Sequence, residues 1–122
     1  MTMPLHQIKA DFFKTLGHPM RVRVLELLSQ REHSVGELMR ELQVEASNLS
    51  QQLAILRRSG LVTTRKEGSS VYYSLVSPEI AELMAVARSI LTSVLAEQAD
   101  ILSTLQSDAR AARGNRLRGG AR

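Results

Sequence analysis

The sequence predicts a mainly α domain with one small β-hairpin. Apolar residues recur at helical spacing through four stretches before residue 60, the period drops to two between Leu61 and Leu75, and helical spacing then resumes from Ser77. A chain of 122 residues holds one domain with a modest core, and two Phe, two Tyr and no Trp make that core aliphatic.

Leu5, Ile8, Phe12 and Leu16 mark a first helix over residues 5–16, with Gly17 as its stop. Pro19 suits the first turn of a second helix, whose stripe is Met20, Val24, Leu27 and Leu28. Gln30 to His33 reads as a polar connection. Ser34-Val35-Gly36-Glu37 has the spacing of a capping box, in which serine and glutamate satisfy each other's backbone donors. The third helix it opens buries Val35, Leu38, Met39 and Leu42.

A fourth helix follows after the short link Gln43-Val44-Glu45. Its stripe of Leu49, Leu53 and Leu56 faces inward, while Ser47, Gln51, Ala54 and Arg58 lie opposite, with Asn48 and Ser50 on the shoulders. Short hydroxyl and amide side chains can donate and accept hydrogen bonds at base edges, and a duplex major groove admits one helix of this width. Arg57 and Arg58 in the last turn suit both the helix dipole and a phosphate, and Gly60 ends the helix.

The β-rich runs Leu61–Arg65 and Ser70–Leu75 are joined by Lys66-Glu67-Gly68-Ser69, a hairpin with glycine in its turn and Arg65 and Lys66 near its tip. A helix-turn-helix followed by a basic-tipped hairpin is a winged helix-turn-helix, in which the hairpin adds phosphate contacts to those of the recognition helix. A plain ribbon capping the core is the competing reading of the hairpin.

Ser77-Pro78 opens a last helix. Ile80, Leu83, Met84, Ala87, Ile90, Leu91, Val94, Leu95, Ile101, Leu102 and Leu105 keep one stripe apolar for about seven turns, longer than a domain of this size covers from one side. That stripe, with Leu5, Ile8 and Phe12 of the first helix, predicts a twofold dimer that turns two recognition helices toward successive grooves. Residues 1–106 are thus expected to form the DNA-binding and dimerisation domain, and residues 107–122 a disordered Arg/Gly-rich tail.

The net charge of +4 comes from that tail, which holds Arg110, Arg113, Arg116, Arg118 and Arg122 against Asp108. The rest is neutral, so overall basicity says nothing of the folded part, although the tail's arginines could add non-specific attraction to DNA. The absence of cysteine excludes disulfides, thiolate metal sites and thiol switching. No stretch is long and apolar enough to span a membrane, and residue 1 onward does not read as a signal peptide, so the expected location is cytoplasmic.

Taken in order, Phe13-Lys14-Thr15-Leu16-Gly17-His18-Pro19-Met20-Arg21, Val24-Leu25-Glu26-Leu27-Leu28, Val35-Gly36-Glu37-Leu38, Ser47-Asn48-Leu49-Ser50-Gln51-Gln52-Leu53, Gly60-Leu61-Val62 and Tyr73-Ser74-Leu75 resemble the ArsR/SmtB family of small bacterial winged-helix transcriptional regulators. The resemblance spans residues 10 to 106. It implies a homodimer on a pseudo-palindromic operator, usually a repressor released by an effector, with base contacts from Ala46, Ser47, Ser50 and Gln51. Adding the residue-level reading, the candidate DNA-binding set is Ala46, Ser47, Asn48, Ser50, Gln51, Arg57, Arg58, Arg65, Lys66, Gly68 and Ser69.

The departures from the family bear on the effector. Many metal sensors carry Cys-Val-Cys-Asp-Leu where this chain has Ser34-Val35-Gly36-Glu37-Leu38, which rules out thiolate capture there. The positions aligned with the zinc ligands of the last helix are Ser77, Glu79, Ile90 and Ser93, and one glutamate cannot hold a tetrahedral ion. No cofactor is evident. Of His6, His18 and His33, His6 is the candidate ligand for nickel or zinc, which imidazole suits.

No cysteine nucleophile, phosphate-cradling glycine loop or histidine–acid pairing points to an enzyme. The leading expectation is a sequence-specific DNA-binding regulator whose partners are double-stranded DNA and its own copy. The alternatives are a metal-responsive regulator that uses a non-thiolate site or an effector or co-regulator protein, and a winged-helix interaction module without DNA affinity.

Overall fold

The computed structural model describes the backbone of residues 2–120 and the side chains of residues 2–114. Helix α1 (Leu5–Leu16) ends where the Gly17 N–H turns back to the Lys14 carbonyl. Helix α2 (Pro19–Gln30) starts at His18, whose Nδ1 accepts from the Met20 N–H at 3.2 Å, so this histidine is spent on a cap. Proline follows it at the position where a missing N–H costs nothing.

Strand β1 (His33–Ser34) leads directly into helix α3 (Val35–Leu42). The capping box forms in full: the Glu37 N–H donates to Ser34 Oγ and the Ser34 N–H to Glu37 Oε1, each at 3.1 Å. Gln43 closes the helix in the left-handed region at φ 51°, a place more often given to glycine. Helix α4 (Ala46–Arg58) follows after three residues.

Strands β2 (Val62–Glu67) and β3 (Ser70–Leu75) pair antiparallel, with Gly68 at φ +62° in the turn between them. The sheet order is β1-β3-β2, because His33 and Ser34 pair with Tyr73 and Tyr72. The segment expected to be a polar connection therefore contributes a strand, and His33 is 2% exposed with Nδ1 against the Arg31 carbonyl at 2.8 Å. A two-residue strand carries no readable period, which is why alternation misses it.

Two compact units divide the chain, residues 1–84 and 85–122. In the first, Val24, Leu25 and Leu28 of α2, Leu38 and Leu42 of α3, and Leu49, Leu53 and Leu56 of α4 close on Leu16, Leu61, Val62 and Ile80. Full burial of each such side chain is worth about 1.5–3 kcal/mol. In the second unit, helix α5 (Pro78–Gly120) continues from its first turns, which belong to the first unit, and keeps Ile90, Leu91, Val94, Leu95, Ile101, Leu102 and Leu105 exposed.

Helix α5 runs through residues 107–120, where the sequence reading places a disordered tail. Ala109, Arg110, Ala111, Ala112 and Arg113 are strong helix formers, and this local propensity opposes the polar, charged composition on which that expectation rests. Arg116, Arg118 and Arg122 lie outside the described side chains. Among the described residues, no helix is long and apolar enough to cross a membrane.

Candidate nucleic-acid interface

Helix α4 presents two chemically distinct faces. Leu49, Leu53 and Leu56 are almost completely buried, and they fix the rotation of the helix about its axis. Ala46, Ser47, Asn48, Ser50, Gln51, Ala54, Arg57 and Arg58 are all exposed. The outer face is therefore free to meet a partner, and every candidate base-reading residue lies on it.

One polar residue of α4 faces inward. Gln52 is 7% exposed, and its Oε1 accepts from Arg21 Nη1 at 2.9 Å. The same guanidinium donates from Nε to the Thr15 carbonyl at 2.6 Å. Arg21 thus ties the last turn of α1 to α4, and the amide of Gln52 is satisfied without disturbing the leucine stripe. The sequence signal for Gln52 is its place three residues after Leu49 and four before Leu56, on the buried side of the wheel.

Beside α4, a cleft of about 390 Å³ opens against Val35 and Tyr73, and its α4 wall is Ser50, Leu53, Ala54, Arg57 and Arg58. The two arginines, both exposed, sit at the rim of an otherwise mixed surface. Ser50 is exposed and also borders this cleft, consistent with its shoulder position.

The hairpin divides its candidates. Lys66, Gly68 and Ser69 are exposed, and no ion pair of Lys66 is found among the described residues. Arg65 is different. It is paired with Glu32 and with Glu67 at 2.7 Å each and lies 4.5 Å from the centroid of the Tyr72 ring. Glu32 is held below the usual carboxylate range, chiefly by its hydrogen bonds from Arg65. The expected phosphate contact is engaged within its own chain, because Glu67 lies two residues along the same strand and Glu32 folds against it from the end of α2.

The candidate dimer residues also divide. Ile80 is 7% exposed and belongs to the chain's own core, with Phe12, Leu83 and Met84 packed against that core. Sequence periodicity cannot separate the part of one apolar stripe that closes the domain from the part that continues beyond it. Ala87 is half-buried. Leu5 and Ile8 of α1 remain 65% and 50% exposed, and Ile90, Leu91, Val94, Leu95, Ile101 and Leu102 of α5 remain open to solvent.

His6 is exposed on α1. Among the described residues, no group of three or more His, Cys, Asp or Glu side chains gathers as a metal ion requires, so His6 has no partners for nickel or zinc among them.

Comparison with known proteins bears on this surface. The family model for bacterial regulatory proteins of the arsR family matches residues 18–64, which include α2, α3 and α4. The HTH-type transcriptional regulator Rv0081 of Mycobacterium tuberculosis is 51% identical over 105 residues, covering 85% of this chain and 92% of that protein. Its crystal structure superposes with a TM-score of 0.75 at 52% identity, over 80% of this chain and 99% of that one. A biofilm growth-associated repressor of Agrobacterium fabrum is 43% identical over 75 residues, 62% of this chain and 64% of the repressor. The homodimeric winged helix-turn-helix DNA-binding domain of Mb0332 from Mycobacterium bovis is 28% identical with a TM-score of 0.68, over 75% and 84% of the two chains.

Proposed function

The chain belongs to the arsR family of bacterial regulatory proteins and is a transcriptional regulator with a winged helix-turn-helix fold, and from that premise we propose that it represses transcription as a homodimer on a pseudo-palindromic operator. The observation that carries the reading is the outer face of α4. Five small or amide-bearing side chains at its N-terminal half, Ala46, Ser47, Asn48, Ser50 and Gln51, are exposed on a helix whose opposite face is locked by three buried leucines.

In this proposal α4 enters the major groove, where Gln51 pairs with an adenine edge and Ser47, Asn48 and Ser50 complete the base contacts. Arg57, Arg58 and Lys66 meet phosphates on the flanking strand, and Gly68 and Ser69 let the hairpin turn approach the backbone. Repression suits a chain 43% identical over 75 residues to a protein named as a repressor. Dimerisation is supported by the apolar side chains that α1 and α5 leave exposed, and by the homodimeric state of the related Mycobacterium bovis domain.

The test is fluorescence anisotropy of the full chain with duplex DNA from upstream of its own gene and with a scrambled duplex, at two salt concentrations. Tight binding to the native duplex alone, weakened at high salt, is the expected result. Equal and weak binding to both would favour an interaction module or an operator elsewhere.

A further inference from the structure

We propose that Arg65 is a positioning residue that locks the wing in place, and that it does not contact phosphate. Arg65 lies on β2 directly opposite Tyr72 on β3, and its guanidinium stacks on that ring. From there it reaches off the hairpin to Glu32, in the connection between α2 and β1. Nε donates to both carboxylate oxygens, at 3.0 and 2.9 Å, and Nη2 donates to Oε1 at 2.7 Å. Nη1 donates to Glu67 Oε2 at 2.7 Å, and Ser74 Oγ adds a bond to Glu32 Oε2 at 3.1 Å.

This arrangement bears on function in two ways, and it deepens the DNA-binding reading on which it rests. One guanidinium between two carboxylates leaves the cluster with a net negative charge, so an approaching phosphate meets no free cation there. Planar, multiply bonded pairing also fixes direction as well as distance. The cluster therefore holds the hairpin at one angle to the helical layer before DNA arrives, so that Lys66 meets its phosphate without a cost for ordering the wing.

Both ends of the pair are partly exposed, with side-chain accessibilities of 50% for Arg65 and 32% for Glu32. Water and salt screen it, and its effect on global stability is small. Its effect is local, on the outer end of the hairpin, where Arg65, Lys66 and Glu67 are exposed while Val62 and Tyr73 are tied to the core and Tyr73 pairs with β1.

The experiment uses the full chain with Glu32→Gln, Arg65→Met and Lys66→Ala. Amide hydrogen exchange of the free protein is read over residues 62–75, together with the salt dependence of binding to a random-sequence duplex. Glu32→Gln and Arg65→Met are expected to speed exchange in the outer part of the hairpin about two- to fivefold and leave α2 and α4 unchanged. Arg65→Met is expected to lower affinity with the wild-type slope of log K against log salt, whereas Lys66→Ala reduces that slope by about 0.9 for each phosphate it no longer neutralises. Unaltered hairpin exchange would overturn the proposal, and so would an Arg65→Met slope reduced as much as that of Lys66→Ala. If the wild-type chain binds no duplex, the DNA reading fails, while hairpin exchange still decides whether Arg65 holds the wing.

Discussion

Replacing Arg21 by methionine tests whether α4 is held by the polar tie as well as by leucine packing. Methionine keeps an unbranched apolar stem but removes the bonds to the Thr15 carbonyl and to Gln52 Oε1, at 2.6 and 2.9 Å. Hydrogen bonds to a charged group contribute about 1.5–3 kcal/mol each when their partners are sheltered from water. Arg21 and Thr15 are half-buried while Gln52 is buried, so water replaces part of the loss, and about 2 kcal/mol is expected overall for Arg21→Met. Gln52→Leu removes one bond and adds apolar contact, and should cost about 1 kcal/mol. Because the two changes break a shared bond, the double variant should be more stable than the sum of the singles predicts by about 1 kcal/mol.

The assay is urea unfolding at fixed protomer concentration, since dimer formation makes stability depend on concentration. With a slope of about 1–3 kcal/mol per molar urea, Arg21→Met should move the midpoint by roughly 1 M. A loss below about 0.5 kcal/mol, or additivity of the two changes within about 0.3 kcal/mol, would refute the tie.

Gln51→Ala should relax sequence preference at one base pair, costing about 1–3 kcal/mol of discrimination in competition binding; uniform weakening across sequences would contradict a base contact. Glu37 is held from its ordinary value of 4.5 down to about 2, first by the Ser34 backbone N–H and then by Arg31. Its contribution to stability is therefore complete above about pH 4.5 and is lost as the pH falls toward 2, so Glu37→Gln should flatten the acid limb of the stability curve. An unchanged acid limb would count against the capping box. Gln43→Gly, at the left-handed position closing α3, should raise the melting temperature through about 1 kcal/mol of relieved backbone strain, and a lower melting temperature would show that the glutamine side chain matters more than its backbone.

Local rules made most of the fold readable. The leucine spacing of α4, the Ser34–Glu37 pair, Pro19 and Pro78 each act within a few residues, and the corresponding helix starts lie where those rules put them. The exposed face of α4 was readable for the same reason, since burying Leu49, Leu53 and Leu56 leaves Ser47 and Gln51 outside. What sequence reading missed depends on contacts distant along the chain. Arg65 is a free basic residue in the hairpin pattern and a paired one in the fold, because Glu32 arrives from 33 residues away. Ile80 belongs to a continuous apolar stripe, yet only packing shows that it closes the core while Ile90 and Leu91 stay exposed.

In the proposed complex a pair of α4 helices reads two related half-sites, which selection of binding sequences from a pool of randomised duplexes by the full chain would reveal. The expected product is an inverted repeat with half-site centres separated by about one helical turn, roughly 10–10.5 base pairs, or a multiple of it, bound by two protomers. Recovery of no common sequence, or of a single half-site bound by one protomer, would contradict it.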